Sequence, residues 1–440
     1  MQSPRPPMLP TRRAALIALA CFAFAPRAGA ARAELQRPAD GWAAEAERLT
    51  RRVQEVWWRP ERRHYVAPAA YEGTVSTRDA RGRFYGHTVW SWCEAFRMLA
   101  AAARRDAERW RGEVAAVFDA LEQFYDPRRH VYNAWVMFPG NVDSYSDDNA
   151  WLVMGLCEAT AATGEPRYAE RGRAVMNGYV ATEWRDDDGP LGMRWGYDRD
   201  KGLRHNQRAA ISASTAAVAA LKLAALGYDA ERNRERAATY LAWVNDTCVD
   251  DAGLVMDGLQ PGRGEGGGWG LERTRWSYNT GLFLIGNALL HEQTGDVAAM
   301  GRVVRSADAA LDREGRLWDD AVTDPARRHL RDKTFFVPHL LEGWVAASRI
   351  TGDDRYRAAA EREAAYLYTY VRDAADGLYF RNLRLPRIDP TRRERFKRDF
   401  AAAFDAARLP DAYASDERPP AKTLLASAAV AHGYAALGET

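Results

Sequence analysis

The chain has 440 residues, 47% hydrophobic and 28% charged, enough apolar material for a large core, which excludes a disordered or fibrous protein. No apolar run reaches the roughly eighteen residues of a membrane span. The net charge is +2, but Arg5, Arg12, Arg13, Arg27 and Arg32 lie in the first 33 residues without an acid, so 57 bases face 60 acids in the rest and argue against a nucleic-acid-binding body.

At the start of the chain, Thr11-Arg12-Arg13 precedes an apolar stretch over 14–25, and small residues follow through Ala33. Basic, apolar and small-residue parts in that order describe a secretory signal over 1–33. The arginine pair admits the twin-arginine route beside the general one. The expectation is an exported protein, periplasmic or extracellular, with 34–440 as its mature domain. Cys93, Cys157 and Cys248 would remain. An odd number with no C-x-x-C implies no disulfide framework, and Cys93 and Cys157 read as small core residues in apolar runs.

The chain then repeats six times. Turn-like segments with apolar or aromatic residues behind them recur at His64, His130, Gly189, Gly253, Gly315 and Gly377, in steps of 66, 59, 64, 62 and 62 residues. A second marker interleaves: Thr163-Gly164-Glu165, Gly227-Tyr228-Asp229, Thr294-Gly295-Asp296 and Thr351-Gly352-Asp353. A glycine closing one helical run and an acid opening the next is a stop-and-start signal.

Two kinds of helix alternate between the markers. Amphipathic, charged helices are predicted near 42–58, 109–125, 167–184, 231–248, 297–312 and 355–373. Nearly all-apolar helices are predicted near 87–103, 147–163, 211–226, 279–295, 336–352 and 423–437. An amphipathic helix covers a core, whereas an all-apolar one is buried on every side. Six of each in alternation predict an all-α, single-domain (α/α)6 barrel, an inner ring inside an outer one; a solenoid of helix pairs is the alternative. Inner-to-outer connections are short and outer-to-inner ones long, so the long loops share one end with the inner-helix starts. Functional groups sit on long loops held by a rigid scaffold, and free helix N–H groups at that end can hold carboxylates and sugar oxygens.

Candidates at that end follow in chain order. His87, Trp90 and Trp92 lie on the first inner helix. Tyr145-Ser146-Asp147-Asp148-Asn149-Ala150-Trp151 opens the second with two adjacent acids. One reading is helix capping, with Ser146 as N-cap and acids favoured in the first turn. The other is catalytic. First-turn neighbours diverge by roughly 100°, which could set the carboxyl groups about 5–6 Å apart and suit a retaining glycosidase. Such a pair titrates jointly and can keep one proton near neutral pH. Asn206 and Arg208 precede the third inner helix, Asp257 the fourth. Trp276-Ser277-Tyr278-Asn279-Thr280-Gly281 opens the fourth, and Lys333-Thr334-Phe335-Phe336 the fifth. Each could bond a sugar hydroxyl, and aromatic faces pack on pyranose rings or on one another. Gly262–Gly270 lacks a phosphate-binding spacing, the histidines lack metal-ligand spacing, and no G-x-S-x-G occurs. The Arg/Pro-rich stretch near 384–420 reads as a rim or lid loop.

The blocks Asp147-Asp148-Asn149-Ala150-Trp151, Trp276 to Gly281 and Lys333 to Phe336, with Val255-Met256-Asp257-Gly258 before the second, resemble in order the motifs of glycoside hydrolase family 76. The resemblance covers roughly 45–437. It implies a retaining endo-α-1,6-mannanase or a related cell-wall transglycosidase, with Asp147 as nucleophile, Asp148 as general acid/base, and no metal or organic cofactor. Tyr145, Asn149, Trp151, Trp90, Asn206, Asp257, Tyr278, Asn279 and Lys333 then become expected substrate contacts. The partner is an α-mannan polysaccharide or oligosaccharide met by a monomer. Leu152, Thr280 and Thr334 depart from the usual Trp, Gln and Gly, which touches subsites more than the acid pair. Two rivals remain. A sugar epimerase on the same barrel would use a histidine pair such as His205 and His339. A non-catalytic glycan-binding protein would keep the aromatics and make no product.

Overall fold

The computed structural model describes residues 35–66, 87–136, 143–197, 206–383 and 422–439, with positions 395, 398 and 399. They belong to a compact unit within Glu34–Thr440. The expected export segment at 1–33 lies outside the described residues, as does nearly all of the 384–420 stretch.

Among the described residues are twelve α-helices: α1 Gly41–Trp57, α2 Val89–Arg105, α3 Ala107–Leu121, α4 Ser146–Thr163, α5 Pro166–Gly178, α6 Ala210–Ala225, α7 Ala230–Trp243, α8 Ser277–Thr294, α9 Val297–Leu311, α10 Val337–Thr351, α11 Asp354–Tyr366 and α12 Leu424–Gly438. The odd helices are amphipathic. On α1, Trp42, Leu49, Val53, Val56 and Trp57 are buried while Arg48, Arg51 and Glu55 face water. The even helices are enclosed almost all round; in α4 this includes Trp151, Leu152, Val153, Met154 and Leu156. Each even helix packs on the next, α2 on α4 and so on to α12, which returns to α2 and closes the ring. Each is backed by an odd helix, with α1 backing α12. The fold is an (α/α)6 barrel.

Two of the four stop-and-start markers act fully as read, while Glu165 and Asp229 make no side-chain capping bond. Gly164, Gly295 and Gly352 close inner helices at φ 76°, 73° and 72°, a left-handed conformation in which a side chain is strained. Asp296 and Asp353 then accept the first N–H groups of α9 and α11. Five of the six markers lie at or beside turns of small β elements, and Gly315 lies in a turn just before the bridge Trp318–Leu330. β1 Trp58–Arg59 pairs with β2 His64–Tyr65, and β3 Tyr125–Asp126 with β4 Val131–Tyr132. Further on, β5 is Ser144–Tyr145, β6 Trp184–Arg185, β7 Gly192–Met193 and β8 Gly196–Tyr197. β6 pairs with β7, and β5 with β8. β9 Arg208–Ala209, β10 Gly258–Pro261 and β11 Trp269–Glu272 form one sheet, with β10 in the middle. In the first turn the left-handed residue is Arg63 and not its neighbour His64; in the second it is His130.

Four outer helices end before the positions expected, α3 at Leu121, α5 at Gly178, α7 at Trp243 and α11 at Tyr366. α7 and α11 widen into π-helical turns over Val244–Cys248 and Leu367–Val371, which lead into the bridges Val249–Val255 and Arg372–Tyr379. The inner ring is tightest between α8 and α10. A Cβ on Gly281 would stand 2.4 Å from the His339 carbonyl oxygen, backbone that cannot rotate away. Gly281→Ala is therefore expected to cost roughly 1–3 kcal/mol by overpacking, measured as a lower urea midpoint with unchanged helix content.

Candidate active site

The described parts of the long connections reach the inner-helix starts, and α4 supplies the central pair. The helix begins at Ser146, so that residue is not the N-cap; Tyr145, extended in β5, holds that place. The Ser146 hydroxyl donates to the carbonyls of Arg194 and Trp195 at 2.7 and 3.0 Å, and its N–H donates to Trp195 O at 2.7 Å. The helix start is thereby tied to the β7–β8 segment.

Asp147 and Asp148 are 8% and 9% exposed, so neither is a solvated first-turn acid. Their environments differ. Asp147 Oδ1 accepts the Asp148 backbone N–H at 3.0 Å, and Oδ2 accepts the indole N–H of Trp195 at 3.0 Å. Among the described residues the Asp148 carboxyl accepts no hydrogen bond, although its carbonyl accepts the Cys93 thiol at 3.3 Å. Burial pushes Asp147 up to about 6 against the pull of its two donors, and the nearby charge of Asp257 adds to the rise. Burial and the charge of Asp147 together hold Asp148 well above the carboxylate range. Two desolvated acids side by side share a proton, and the one without donors keeps it.

Two more acids lie near Tyr278. Burial raises Asp257 to about 6; its Oδ1 accepts Asn279 Nδ2 at 3.4 Å. Burial also raises Asp332 to about 6. Its Oδ2 accepts the N–H and hydroxyl of Ser277 at 2.7 and 2.9 Å, which caps α8. Tyr278 stands among all four carboxylates; burial, then their charges, keep its phenol protonated. Its ring lies 4.0 Å from that of Phe336. Trp90 packs edge-on to Phe335 and alongside Phe336 at 5.3 and 6.0 Å, so Tyr278, Trp90, Phe335 and Phe336 form one aromatic cluster. Lys333 pairs with Asn382 through a β bridge and through Nζ at 3.4 Å.

The structure thus gathers Tyr145, Asp147, Asp148, Asp257, Tyr278 and Asn279, with Trp90 and Lys333 in the neighbouring aromatic and β-bridged segments. Three other expected contacts have different work. The Asn149 side chain is 0% exposed; it accepts Tyr132 N–H at 2.8 Å and donates to the carbonyls of Tyr132 and Tyr145 at 3.0 and 2.8 Å. Asn206 donates to Asp188 O at 3.1 Å and accepts from Arg208 at 3.1 Å. Both amides are spent on loop backbone or on Arg208, because the helical phase turns Asn149 away from Asp147 and Asp148. Trp151, 1% exposed, lies one turn along α4 from Asp147, packed on His339 at 4.5 Å. Trp92 belongs to an aromatic cluster with Trp58, Tyr65 and Phe124. Of the histidine pair, His339 is 1% exposed and enclosed, so no substrate reaches it; His205 lies outside the described residues. Sequence reasoning missed Trp195 and Asp332. The first is marked only by alternation in Gly192-Met193-Arg194-Trp195-Gly196-Tyr197, the second only by adjacency to Lys333.

Residues 63–353 match the family model described as glycosyl hydrolase family 76. The Meiotically up-regulated gene 191 protein of Schizosaccharomyces pombe is 27% identical over 367 residues, covering 78% of this chain and 81% of that one. Among solved structures, a GH76 α-mannanase of Bacteroides thetaiotaomicron superposes with a TM-score of 0.65 at 14% identity, over 90% of this chain and 94% of that one. The GH76A α-1,6-mannanase of Salegentibacter sp. HEL1_6 gives 0.63 at 18% identity, over 90% and 99%. An inactive variant of that protein, with asparagine at two consecutive aspartates, is in complex with α-1,6-mannotriose (TM-score 0.62, 18% identity, 90% and 99% coverage).

Proposed function

Since the chain belongs to glycosyl hydrolase family 76, and so is a glycoside hydrolase, we propose that it cleaves α-1,6-mannosidic bonds within a mannan, with retention of configuration. The observation that carries this reading is the unlike pair at the start of α4: Asp147 is held by two donors and Asp148 by none among the described residues. Asp147 attacks C1 while Asp148 gives its proton to the departing O6. The ester on Asp147 is then opened by water, whose proton returns to Asp148. The mannotriose-bound relative, inactive with two consecutive aspartates replaced, supports the need for an adjacent acid pair and the substrate class. The reading includes export, for which the basic and apolar order of residues 1–33 speaks.

Two results test it. From α-1,6-mannotetraose, NMR should detect the α-anomer of the new reducing end before mutarotation; a β-anomer first, or mannan bound without product, would refute the reading. The pH profile of kcat/KM should be a bell. Asp147 must be ionised, so activity rises through about pH 6. Asp148 must be protonated, so activity falls again as pH climbs past its raised value. A profile flat from pH 5 to pH 8 would contradict the pair's assigned charges.

A further inference from the structure

We propose that Trp195 is the positioning residue that assigns the two roles: its indole N–H fixes Asp147 as the carboxylate, which leaves the shared proton on Asp148. The proposal rests on the glycosidase reading of this pair. Two adjacent aspartates on one helix turn, both nearly excluded from water, have no intrinsic reason to differ. The difference comes from what they touch. An indole N–H donates and cannot accept, so at 3.0 Å from Asp147 Oδ2 it favours the charged carboxylate. The other donor to Asp147, the Asp148 backbone N–H, comes with the helix and supplies no choice of side chain.

Trp195 is itself held firmly enough to act this way. Its carbonyl accepts the Ser146 N–H and hydroxyl, and its N–H donates to Gln207 O at 2.9 Å. Its ring packs 4.9 Å from that of Tyr145. That packing needs the glycine beside it, since a Cβ on Gly196 would stand 2.4 Å from the Tyr145 ring. The residue that holds Asp147 is thus fastened to the residues that begin its helix, so loop and carboxylate cannot shift independently.

Trp195→Phe keeps the ring and removes only the donor. Turnover of α-1,6-mannotetraose should fall roughly ten- to a hundredfold, in kcat with KM little changed. The acid limb of the pH profile should move up by about one unit. The loss should persist on an aryl α-mannoside whose good leaving group needs no acid, because the impaired group is the nucleophile. Trp195→His, which restores a ring N–H, should recover part of the activity.

A second measurement needs no substrate. In protein labelled at the aspartate carboxyl carbons, the resonance lost in Asp147→Asn identifies Asp147, and its titration midpoint should rise in Trp195→Phe. An unmoved midpoint, or a loss expressed only as a higher KM with the limb in place, overturns the proposal. If the parent protein leaves mannotetraose intact, the mannanase reading fails while the carboxyl titration still decides the role of Trp195.

Discussion

Asp147→Asn is expected to reduce hydrolysis of α-1,6-mannan by a factor on the order of ten thousand or more, as removal of an enzymic nucleophile does. The substitution keeps the side chain's shape, but its single oxygen can accept only one of the Trp195 indole N–H and the Asp148 N–H, and its amide nitrogen faces the other donor. Loss of one such bond costs about 1–3 kcal/mol, so a circular dichroism spectrum matching the parent's assigns the loss of activity to chemistry. An amide oxygen is a poor nucleophile toward C1 and carries no charge to balance the oxocarbenium-like transition state. Asp148→Asn should differ in kind. It removes general acid and base catalysis, worth about a hundred- to ten-thousandfold. On an activated aryl α-mannoside the first step needs no proton, so the glycosyl-enzyme should form and then accumulate for want of a base. A burst of aryl leaving group followed by slow turnover in Asp148→Asn, and no burst in Asp147→Asn, is the expected pattern. The reverse would exchange the two roles, and near-parent activity in either variant would remove that residue from the mechanism.

The second large effect lies in the barrel axis. Arg97 on α2 is 1% exposed. Its Nε and Nη2 donate to the two oxygens of Glu158 at 3.2 Å each, and Nη2 also donates to Glu342 at 3.1 Å. Lys222 reaches Glu158 at 3.0 Å and His432 reaches Glu342 at 2.7 Å. His339, between Glu94 and Glu342 at 3.4 and 3.6 Å, is held up at about 9 by those charges against its burial. Arg97→Leu strips one partner from each of two buried carboxylates, for which about 3–5 kcal/mol is expected, read as a lower urea midpoint. The parent's Glu158 and Glu342 are held well below the ordinary range, chiefly by Arg97 for Glu158 and by His432 and Arg97 for Glu342, against burial. Their contribution is present above the unfolded value and is lost as pH falls through the folded one. In Arg97→Leu the orphaned carboxylates take up protons sooner, so the gap between variant and parent should narrow toward acid pH. A gap that is constant with pH would mean that lost packing, not charge, sets the cost.

Much of this fold is legible because two periodicities agree. Apolar faces at helical spacing locate the twelve helices, and the glycine-then-acid markers locate four of the joints between rings. The acid pair stands out in the sequence, but capping and catalysis look alike there because acids are favoured in any helix's first turn; the burial of both carboxyl groups is what sets them apart from solvated first-turn acids. What surrounds the pair is not legible. Trp195 reaches Asp147 from 48 positions downstream, and Asp332 caps Ser277 from 55 positions downstream; no local pattern encodes either pairing. Glu94 and Arg97 sit in a run whose neighbours are apolar, and nothing in the run tells that both turn inward. Asn149 shows the opposite failure. Its place beside the acids makes it look like a sugar ligand, while its amide fastens the loop around Tyr132 to the helix start.

The closure of the inner ring orders events in the life of the chain. α12 fills the gap between α10 and α2, and its outer partner is α1, near the opposite end of the sequence. The ion pair between Arg104 and Glu439 spans 335 positions. A ribosome-bound fragment that lacks α12 can form helix pairs but leaves an open trough along the axis, with Arg97 and its glutamates wet on that side. Long-range closure of this kind is slow because the loop entropy is spent before the contacts reward it. The barrel should lock only once α12 has emerged, and a ribosome stalled before residue 424 should hold a protease-sensitive chain even with five of the six hairpins already made.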